Sequence, residues 1–167
     1  IQPTVPDFAG GSKALQALVG GSADVVSGAY EHTINMQAKN QIIESFVLQG
    51  RAPQIVLAVS TKTMPGYKSL ADLKGKKIGV TAPGSSTSMM ASYVLAKAGL
   101  KPSDVSFIGV GAASGAITAV KSGQVDAIAN LDPVITMLQR DNLIKVVADT
   151  RTLKDTQAVY GGPMPAA

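Results

Sequence analysis

The feature that most constrains the fold is a regular alternation of β-branched runs and helical stretches in the second half of the chain. Strands that alternate with helices of about ten residues are typical of βαβ units and a parallel sheet. The runs between Ile78 and Val147 also lack regular polar alternation, which is typical of a sheet covered on both faces. The sequence therefore predicts an α/β fold with strands over 77–82, 105–109, 125–130 and 144–149 and helices over 86–98, 113–122 and 133–140.

The first half of the chain contains a second set of predicted elements. Ser12 is the predicted N-cap of a helix with an apolar face, and Gly20-Gly21 ends that helix. The elements that follow are a strand over 23–30, a helix over 32–40, strands over 41–50 and 53–60, and a short helix over 69–73.

An internal repeat links the two halves. The segment KALQALVGGSADVVSGAYE (13–31) aligns with GAITAVKSGQVDAIANLDP (115–133) at a constant offset, so that Gly21 matches Gly123 and Asp24 matches Asp126. Each copy predicts a helix, a glycine turn, an aspartate, a strand and a polar loop. We interpret the repeat as two similarly built α/β lobes. The alternative is that any connection from a helix to a strand has this form.

Three polar loops follow predicted strands and form the candidate binding site. In open α/β sheets, ligands bind beyond the carboxyl ends of the strands, and a cleft between two facing lobes would collect all three loops. The predicted contacts are Gly28, Ala29, Tyr30 and Glu31 in the first loop, Gly84, Ser85, Ser86, Thr87 and Ser88 in the second, and Asn130 and Asp132 in the third.

The second loop carries four consecutive hydroxyl residues, Ser85 to Ser88, where a strand turns into a helix. A helix start offers unpaired amides and a partial positive charge, so an oxyanion placed there accepts backbone hydrogen bonds, and nearby hydroxyls add more. Gly84 allows a ligand to approach the backbone closely. One serine suffices for an ordinary cap, so the run favours binding of an anion or a polar group. The loop lacks the lysine of a Walker A motif.

The other two loops leave alternatives open. Tyr30 could hydrogen-bond a ligand, and Glu31 could pair with an ammonium group. His32 could donate to an anion, or it could equally be a residue at a helix start with a satisfied ring. Asp132 precedes Pro133 and is most simply a helix N-cap, with a ligand contact as the minority interpretation.

Composition excludes several kinds of site. The chain has no Cys and one His, so Cys-based and His-rich metal sites are excluded and a Ser-His triad is disfavoured. A scattered net charge of +4 and an aromatic content of 4% argue against nucleic acid as a partner. We expect no catalytic residue, no metal and no cofactor. No run approaches the roughly 20 apolar residues of a membrane span, and no signal peptide is recognised at the start.

Three stretches carry a family resemblance: GGSKALQALVGGSADVVSGAYEHTINMQAK, SLADLKGKKIGVTAPGSSTSMMASYVLAKAGL and AITAVKSGQVDAIANLDPVITML. Together they resemble the solute-binding components of ABC importers, in particular the nitrate/taurine/aliphatic-sulfonate group. The resemblance implies a type II periplasmic-binding fold, in which two α/β lobes joined by crossover strands close over a ligand. Residues 1–54 would form an incomplete first lobe, rejoined by 152–167, and residues 55–151 would form the second. Compared with the family, the chain looks trimmed at both ends.

The function implied is that of a receptor rather than an enzyme. We expect a periplasmic or lipid-anchored protein that binds a small anionic or zwitterionic solute, similar to a sulfonate, taurine or nitrate, and delivers it to an ABC permease in the membrane. One alternative is a protein of thiamine-pyrimidine binding or biosynthesis, although the synthases depend on a Cys-rich motif that this chain lacks. Another is a ligand-sensing regulatory domain of the same fold.

Overall fold

A computed structural model of the protein describes residues 2–164. Within this range the helices are α1 (Gly11–Val19), α2 (Glu31–Gln37), α3 (Ser86–Lys97), α4 (Ser114–Ser122), α5 (Val134–Arg140) and α6 (Leu153–Tyr160). The strands are β1 (Val56–Ser60), β2 (Lys77–Val80), β3 (Ser106–Gly109), β4 (Ala127–Asn130) and β5 (Ile144–Asp149). Two short 3-10 helices span Leu70–Leu73 and Pro102–Asp104. Ser12 is not the N-cap of α1, since Gly10 occupies that position and Ser12 lies in the first turn.

The five strands form one mixed sheet in the order β3-β2-β4-β1-β5. β2 runs parallel to β3 and β4, as the alternation predicts. β1, which lies outside the alternation on which the prediction of parallel strands rests, is antiparallel to both β4 and β5, so the sheet is mixed. An apolar run such as that of β1 indicates a buried central strand, but its direction depends on the connection to β2, which carries a 3-10 helix and no full crossover helix.

Both faces of the sheet are covered, as the sequence predicts. Residues 56–59 of β1 are each at most 1% exposed and alternate between the faces. Leu57 and Val59 pack with residues of β2 and α3 on one side. Val56 and Ala58 pack with residues of α4, β4 and α5 on the other. Each fully buried Val or Leu side chain contributes about 1.5–3 kcal/mol of hydrophobic stabilisation, so the sheet is a main source of the stability of the fold.

The strands predicted over 23–30 and 41–50 are not formed. Apart from isolated bridge residues at Ala29 and Gly50, these segments have no ladder of backbone hydrogen bonds within the described residues. Their apolar side chains are largely exposed, for example Ile42 at 84% and Phe46 at 74%. A segment with the sequence pattern of a strand forms a strand only where neighbouring strands pair with its backbone. The described residues supply no such neighbours for these two segments.

The last helix packs against the second half of the chain. α6 contacts β5, the Tyr160 ring centroid lies 4.9 Å from that of Tyr93 on α3, and Lys97 Nζ donates a hydrogen bond to the Val159 carbonyl. The division into residues 1–54 with 152–167 and residues 55–151 stays a prediction, and Ile1 and residues 165–167 lie outside the described residues.

Candidate functional site

The turn between β2 and α3 is built largely by its own hydroxyl groups. Gly84 has a φ of +80°, a left-handed conformation that favours glycine. Its N–H donates to Ser88 Oγ at 3.0 Å, and Ser88 Oγ donates to the Ser85 carbonyl at 2.8 Å. The Ser88 hydroxyl therefore holds the turn together and has no free donor for a ligand.

Thr87 has a similar internal role. It is 1% exposed, and its Oγ1 accepts the backbone N–H of Thr81 at 3.1 Å. The Oγ1 atoms of Thr81 and Thr87 lie 2.9 Å apart and share a hydrogen bond. Thr81 directly follows β2, so this pair fixes the start of α3 to the end of that strand.

Ser85 reaches out of the turn to the first helix. Its Oγ accepts the backbone N–H of Ser12 at 3.0 Å and donates to Ser12 Oγ at 3.1 Å. The packing is close, because a Cβ added at Gly10 would lie 3.1 Å from Ser85 Oγ. The N-terminal ends of α1 and α3 are thus in direct contact.

Unpaired amides remain at both helix starts. The backbone N–H groups of Gly11, Ser86 and Thr87 have no acceptor among the described residues, and the half-buried Ser86 has no hydrogen bond from its hydroxyl there. Each helix start carries about half a positive charge, so two starts in contact repel each other unless negative charge lies nearby. The arrangement favours binding of an anion.

Residues of the first candidate loop line two neighbouring cavities. Gly28 and Ala29 line a cavity of about 590 Å³ together with Gly11 and His32. Tyr30 is 41% exposed and lines a neighbouring cavity of about 390 Å³. None of residues 84–88 lines either cavity.

Glu31 is the first residue of α2 and is partly buried. Burial raises the pKa of Glu31, and its charge adds to burial in raising the pKa of Tyr160. A local sequence pattern could not predict the burial of Glu31, because tertiary packing sets it.

The third candidate loop is largely occupied by internal contacts. Asn130 is fully buried, donates to the Gly111 carbonyl at 2.9 Å and accepts the Leu131 N–H at 2.9 Å. Asp132 Oδ1 accepts both the N–H and the hydroxyl of Thr136, at 2.9 Å and 2.6 Å. Asp132 thus caps α5, although Pro133 rather than Asp132 holds the N-cap position.

Arg151 joins the carboxylates at this end of the sheet. It pairs with Asp149 at 2.7 Å and with Asp132 at 3.5 Å. Burial acts to raise the pKa of each carboxyl. The hydrogen bonds and the charge of Arg151 outweigh burial and lower both pKa values, and at Asp132 the hydrogen bonds from Thr136 lower the pKa further. No sequence signal pointed to Arg151, which lies outside the predicted loops.

Two features of the site were underestimated from the sequence. The sequence predicts a helix start at Gly10-Gly11-Ser12, and the structure shows that this start, like that of α3, has an unpaired amide, at Gly11. His32 is 5% exposed, and its Nε2 has no hydrogen-bond partner among the described residues. Its ring is therefore not satisfied within the protein, and burial lowers its pKa.

The described residues hold no group of three or more His, Cys, Asp or Glu side chains that could bind a metal ion. No helix formed by residues 2–164 is long and apolar enough to cross a membrane.

Several solved structures are similar to this chain. A structure from Bordetella bronchiseptica RB50 has 66% sequence identity and a TM-score of 0.95, covering 96% of this chain and 51% of that one. The alkanesulfonate-binding protein SsuA from Xanthomonas axonopodis pv. citri, bound to MOPS, has 28% identity and a TM-score of 0.69, covering 94% of this chain and 52% of that one. The periplasmic aliphatic sulphonate binding protein SsuA from Escherichia coli has 27% identity and a TM-score of 0.62, covering 96% and 53%.

The chain spans about half the length of each of these three proteins. Over that half, its α/β fold is similar to that of type II periplasmic binding proteins. The sequence model described as "ABC transporter, phosphonate, periplasmic substrate-binding protein" matches residues 6–167, and the chain therefore belongs to that family.

Proposed function

We propose that the protein acts as the solute-binding component of an ABC importer and binds a small anionic or zwitterionic organic solute through the starts of α1 and α3. It would work in the periplasm and deliver the solute to a membrane permease. The observation that carries the proposal is the direct contact of the two helix starts through Ser12 and Ser85, with unpaired amides on both sides.

The chemistry of that contact favours an oxyanion. Two partial positive charges and three unpaired N–H groups can be satisfied together by a group that carries several oxygens and a negative charge. Sulfonates and phosphonates both present three oxygens on a tetrahedral centre. The family description names phosphonate, and the Xanthomonas relative is named for alkanesulfonates, so relatives of the chain support this solute class.

We place the solute in a cleft between two lobes. α1 belongs to the proposed first lobe and α3 to the second, so a solute held by both helix starts would bridge the lobes. It would replace the Ser12–Ser85 hydrogen bonds with its own, and its higher affinity for the bridged state would drive closure. The surface formed on closure would be recognised by the permease.

The proposed contacts then differ in how readily they are available. Some proposed contacts need no rearrangement: Gly84, the Ser86 hydroxyl, the amides of Ser86 and Thr87, and the loop formed by Gly28, Ala29 and Tyr30. Ser85 exchanges its bonds to Ser12. Four groups would have to give up internal hydrogen bonds, and we rank them as secondary: the Thr87 hydroxyl, Ser88, Asn130 and Asp132. Glu31 is also secondary, because burial raises its pKa.

A proline at position 86 tests the role of the α3 amides. Ser86 is the first residue of α3, where proline is well tolerated, and Ser85 has φ −78° and ψ 166°, which suits a residue before proline. Ser86→Pro therefore removes one unpaired N–H and leaves the helix intact. Isothermal titration calorimetry with MOPS should show about a tenfold loss of affinity or more, the size of a hydrogen bond to a charged group.

Ser86→Ala is the matched control. It removes the same hydroxyl but keeps the N–H, so we expect it to weaken MOPS binding several-fold less than Ser86→Pro. Equal affinities of Ser86→Pro and the unchanged protein would contradict the proposal that the start of α3 holds the solute.

A further inference from the structure

His32 is the one imidazole of the chain and a buried residue that the fold does not explain. It is 5% exposed, and its Nε2 makes no hydrogen bond with any described residue. Buried polar atoms in native proteins nearly always have a partner, so Nε2 needs one that the described residues do not supply, and a bound ligand is a candidate.

The space in front of this nitrogen is kept open by glycine. A Cβ added at Gly11 would lie 3.0 Å from His32 Nε2, and one added at Gly28 would lie 3.6 Å from His32 Cδ2. All three residues line the cavity of about 590 Å³. A side chain at position 11 would fill the place that a ligand atom could take beside Nε2.

The same place is reached by a helix start. Gly11 is the first residue of α1, a helix of nine residues, and its N–H has no acceptor among the described residues. The next residue, Ser12, contacts Ser85 at the start of α3. The first turn of α1 therefore connects His32 with the helix contact on which the proposed function depends.

The charged groups around His32 are few. Asp24 and Glu44 line the same cavity from the two extended segments, and Glu31 precedes His32 on α2. On α1, Lys13 directs its Nζ to Gln16 Oε1 at 3.4 Å. Most of the remaining lining is apolar, which strengthens any hydrogen bond formed there.

We propose that His32 is a ligand-binding residue, whose Nε2 donates a hydrogen bond to an oxygen of a bound oxyanion that also accepts the Gly11 N–H. This inference rests on the proposed function and adds a residue that is not among the contacts predicted for the three loops. Because burial lowers the pKa of His32, the ring is neutral at pH 7 and donates through its N–H without a charge. A bound anion stabilises the protonated ring, so its pKa rises on binding and affinity increases as the pH falls.

Nuclear magnetic resonance tests the contact directly, because a single histidine gives one unambiguous set of ring signals. The probe is methanesulfonate, and dimethyl sulfone serves as a neutral control of similar shape. Methanesulfonate should shift the His32 ring nitrogen signal and raise the apparent pKa of the ring, whereas dimethyl sulfone should do neither. In the same titration, the amide signals of Ser86 and Thr87 report on the start of α3.

The two proposals fail in different ways in this experiment. If methanesulfonate shifts the Ser86 and Thr87 amides but leaves the His32 ring unchanged, the inference about His32 is overturned and the proposed function stands. If the ring shifts and the amides do not, His32 is supported and the role of α3 is overturned. If neither responds, both are overturned.

Substitutions give a second measurement. His32→Leu removes the donor at similar volume and should weaken methanesulfonate binding about tenfold, which corresponds to ~1.4 kcal/mol. His32→Gln keeps an N–H donor and should recover part of that loss. Ile34→Ala lies on the same helix with an exposed side chain and should bind as the unchanged protein does. Equal affinities of His32→Leu and Ile34→Ala for methanesulfonate would overturn the inference. If His32→Leu does not fold, the ring titration of the unchanged protein tests the inference instead.

Discussion

The two copies of the internal repeat begin alike and end differently. Gly21 and Gly123 both follow their helices with positive φ, +74° and +81°. Beyond that turn the second copy continues into β4, whose four residues are buried between β2 and β1. The first copy continues into an extended segment in which Val25 is 62% exposed. Local sequence determines the helix and the turn in both copies, whereas a strand forms only where neighbours pair with it.

The matching aspartates show the same difference at the level of one hydrogen bond. Asp126 Oδ2 accepts the backbone N–H of Lys77, the first residue of β2, at 3.0 Å. Asp24 has no side-chain hydrogen bond among the described residues and lines the large cavity instead. The two equivalent side chains therefore differ in role. The one beside a strand accepts a backbone hydrogen bond, and the other keeps its carboxylate free of internal hydrogen bonds.

The largest effect that would sharpen this comparison comes from the matched pair Ile128 and Val26. Ile128 is fully buried in β4, so Ile128→Ala should lower the free energy of unfolding by about 2–5 kcal/mol through lost burial and a cavity. Val26→Ala, in the unpaired copy, should cost below about 1 kcal/mol. Urea denaturation followed by circular dichroism measures both. Similar losses would show that the first copy is as tightly packed as the second.

A smaller effect is expected from the aspartates. Asp126→Ala leaves the Lys77 N–H without its acceptor and should cost about 1–2 kcal/mol of unfolding free energy. Asp24→Ala should change it by less than about 0.5 kcal/mol, as for a surface substitution. The same denaturation experiment applies, and hydrogen exchange at Lys77 should be faster only in Asp126→Ala. A loss in Asp24→Ala equal to that in Asp126→Ala would break the comparison.

The smallest effects concern pH, and their signs differ between the two halves. The lowered pKa values of Asp132 and Asp149 give stability that is present above the ordinary value of about 3.9 and is lost as the pH falls through the folded values. The raised pKa of Glu31 acts the other way, since its contribution is present below about 4.3 and is lost as the pH rises through the folded value.

Two variants separate these contributions. Arg151→Met should lower stability at pH 7 and flatten the acid-side decline, and Glu31→Gln should raise stability at pH 7. Each effect should stay below about 1 kcal/mol because the groups are partly exposed. Denaturation midpoints between pH 3 and pH 8 measure them, and a destabilising Glu31→Gln at pH 7 would contradict the assigned sign.

Much of the second half was predictable because its signals are local. The helix predicted over 86–98 is Ser86–Lys97, and the strand predicted over 144–149 is Ile144–Asp149. The resemblance to solute-binding components of ABC importers is confirmed, and the prediction of a non-enzyme is confirmed by membership of a binding-protein family. These inferences depended on periodicity, turn residues and motif combinations, all of which are read along the chain.

The rest depends on contacts between distant residues. The direction of β1 and the missing strands over 23–30 and 41–50 follow from neighbours that a local pattern does not specify. Within the hydroxyl run, sequence could not tell that Thr87 bonds to Thr81 or that Ser85 bonds to Ser12. The predicted site residues therefore lie in several environments, and their role as a ligand-binding set stays a prediction.

The hydrogen bond between Thr81 and Thr87 has a consequence for the energetics of recognition. By fixing the start of α3 to the end of β2, it aims the N–H groups of Ser86 and Thr87 before any solute arrives. On the proposed binding mode, a solute would lose no conformational entropy in ordering that backbone, and a larger share of each new hydrogen bond would be expressed as affinity. The buried Thr81–Thr87 pair would thereby contribute to affinity through the position of the α3 backbone.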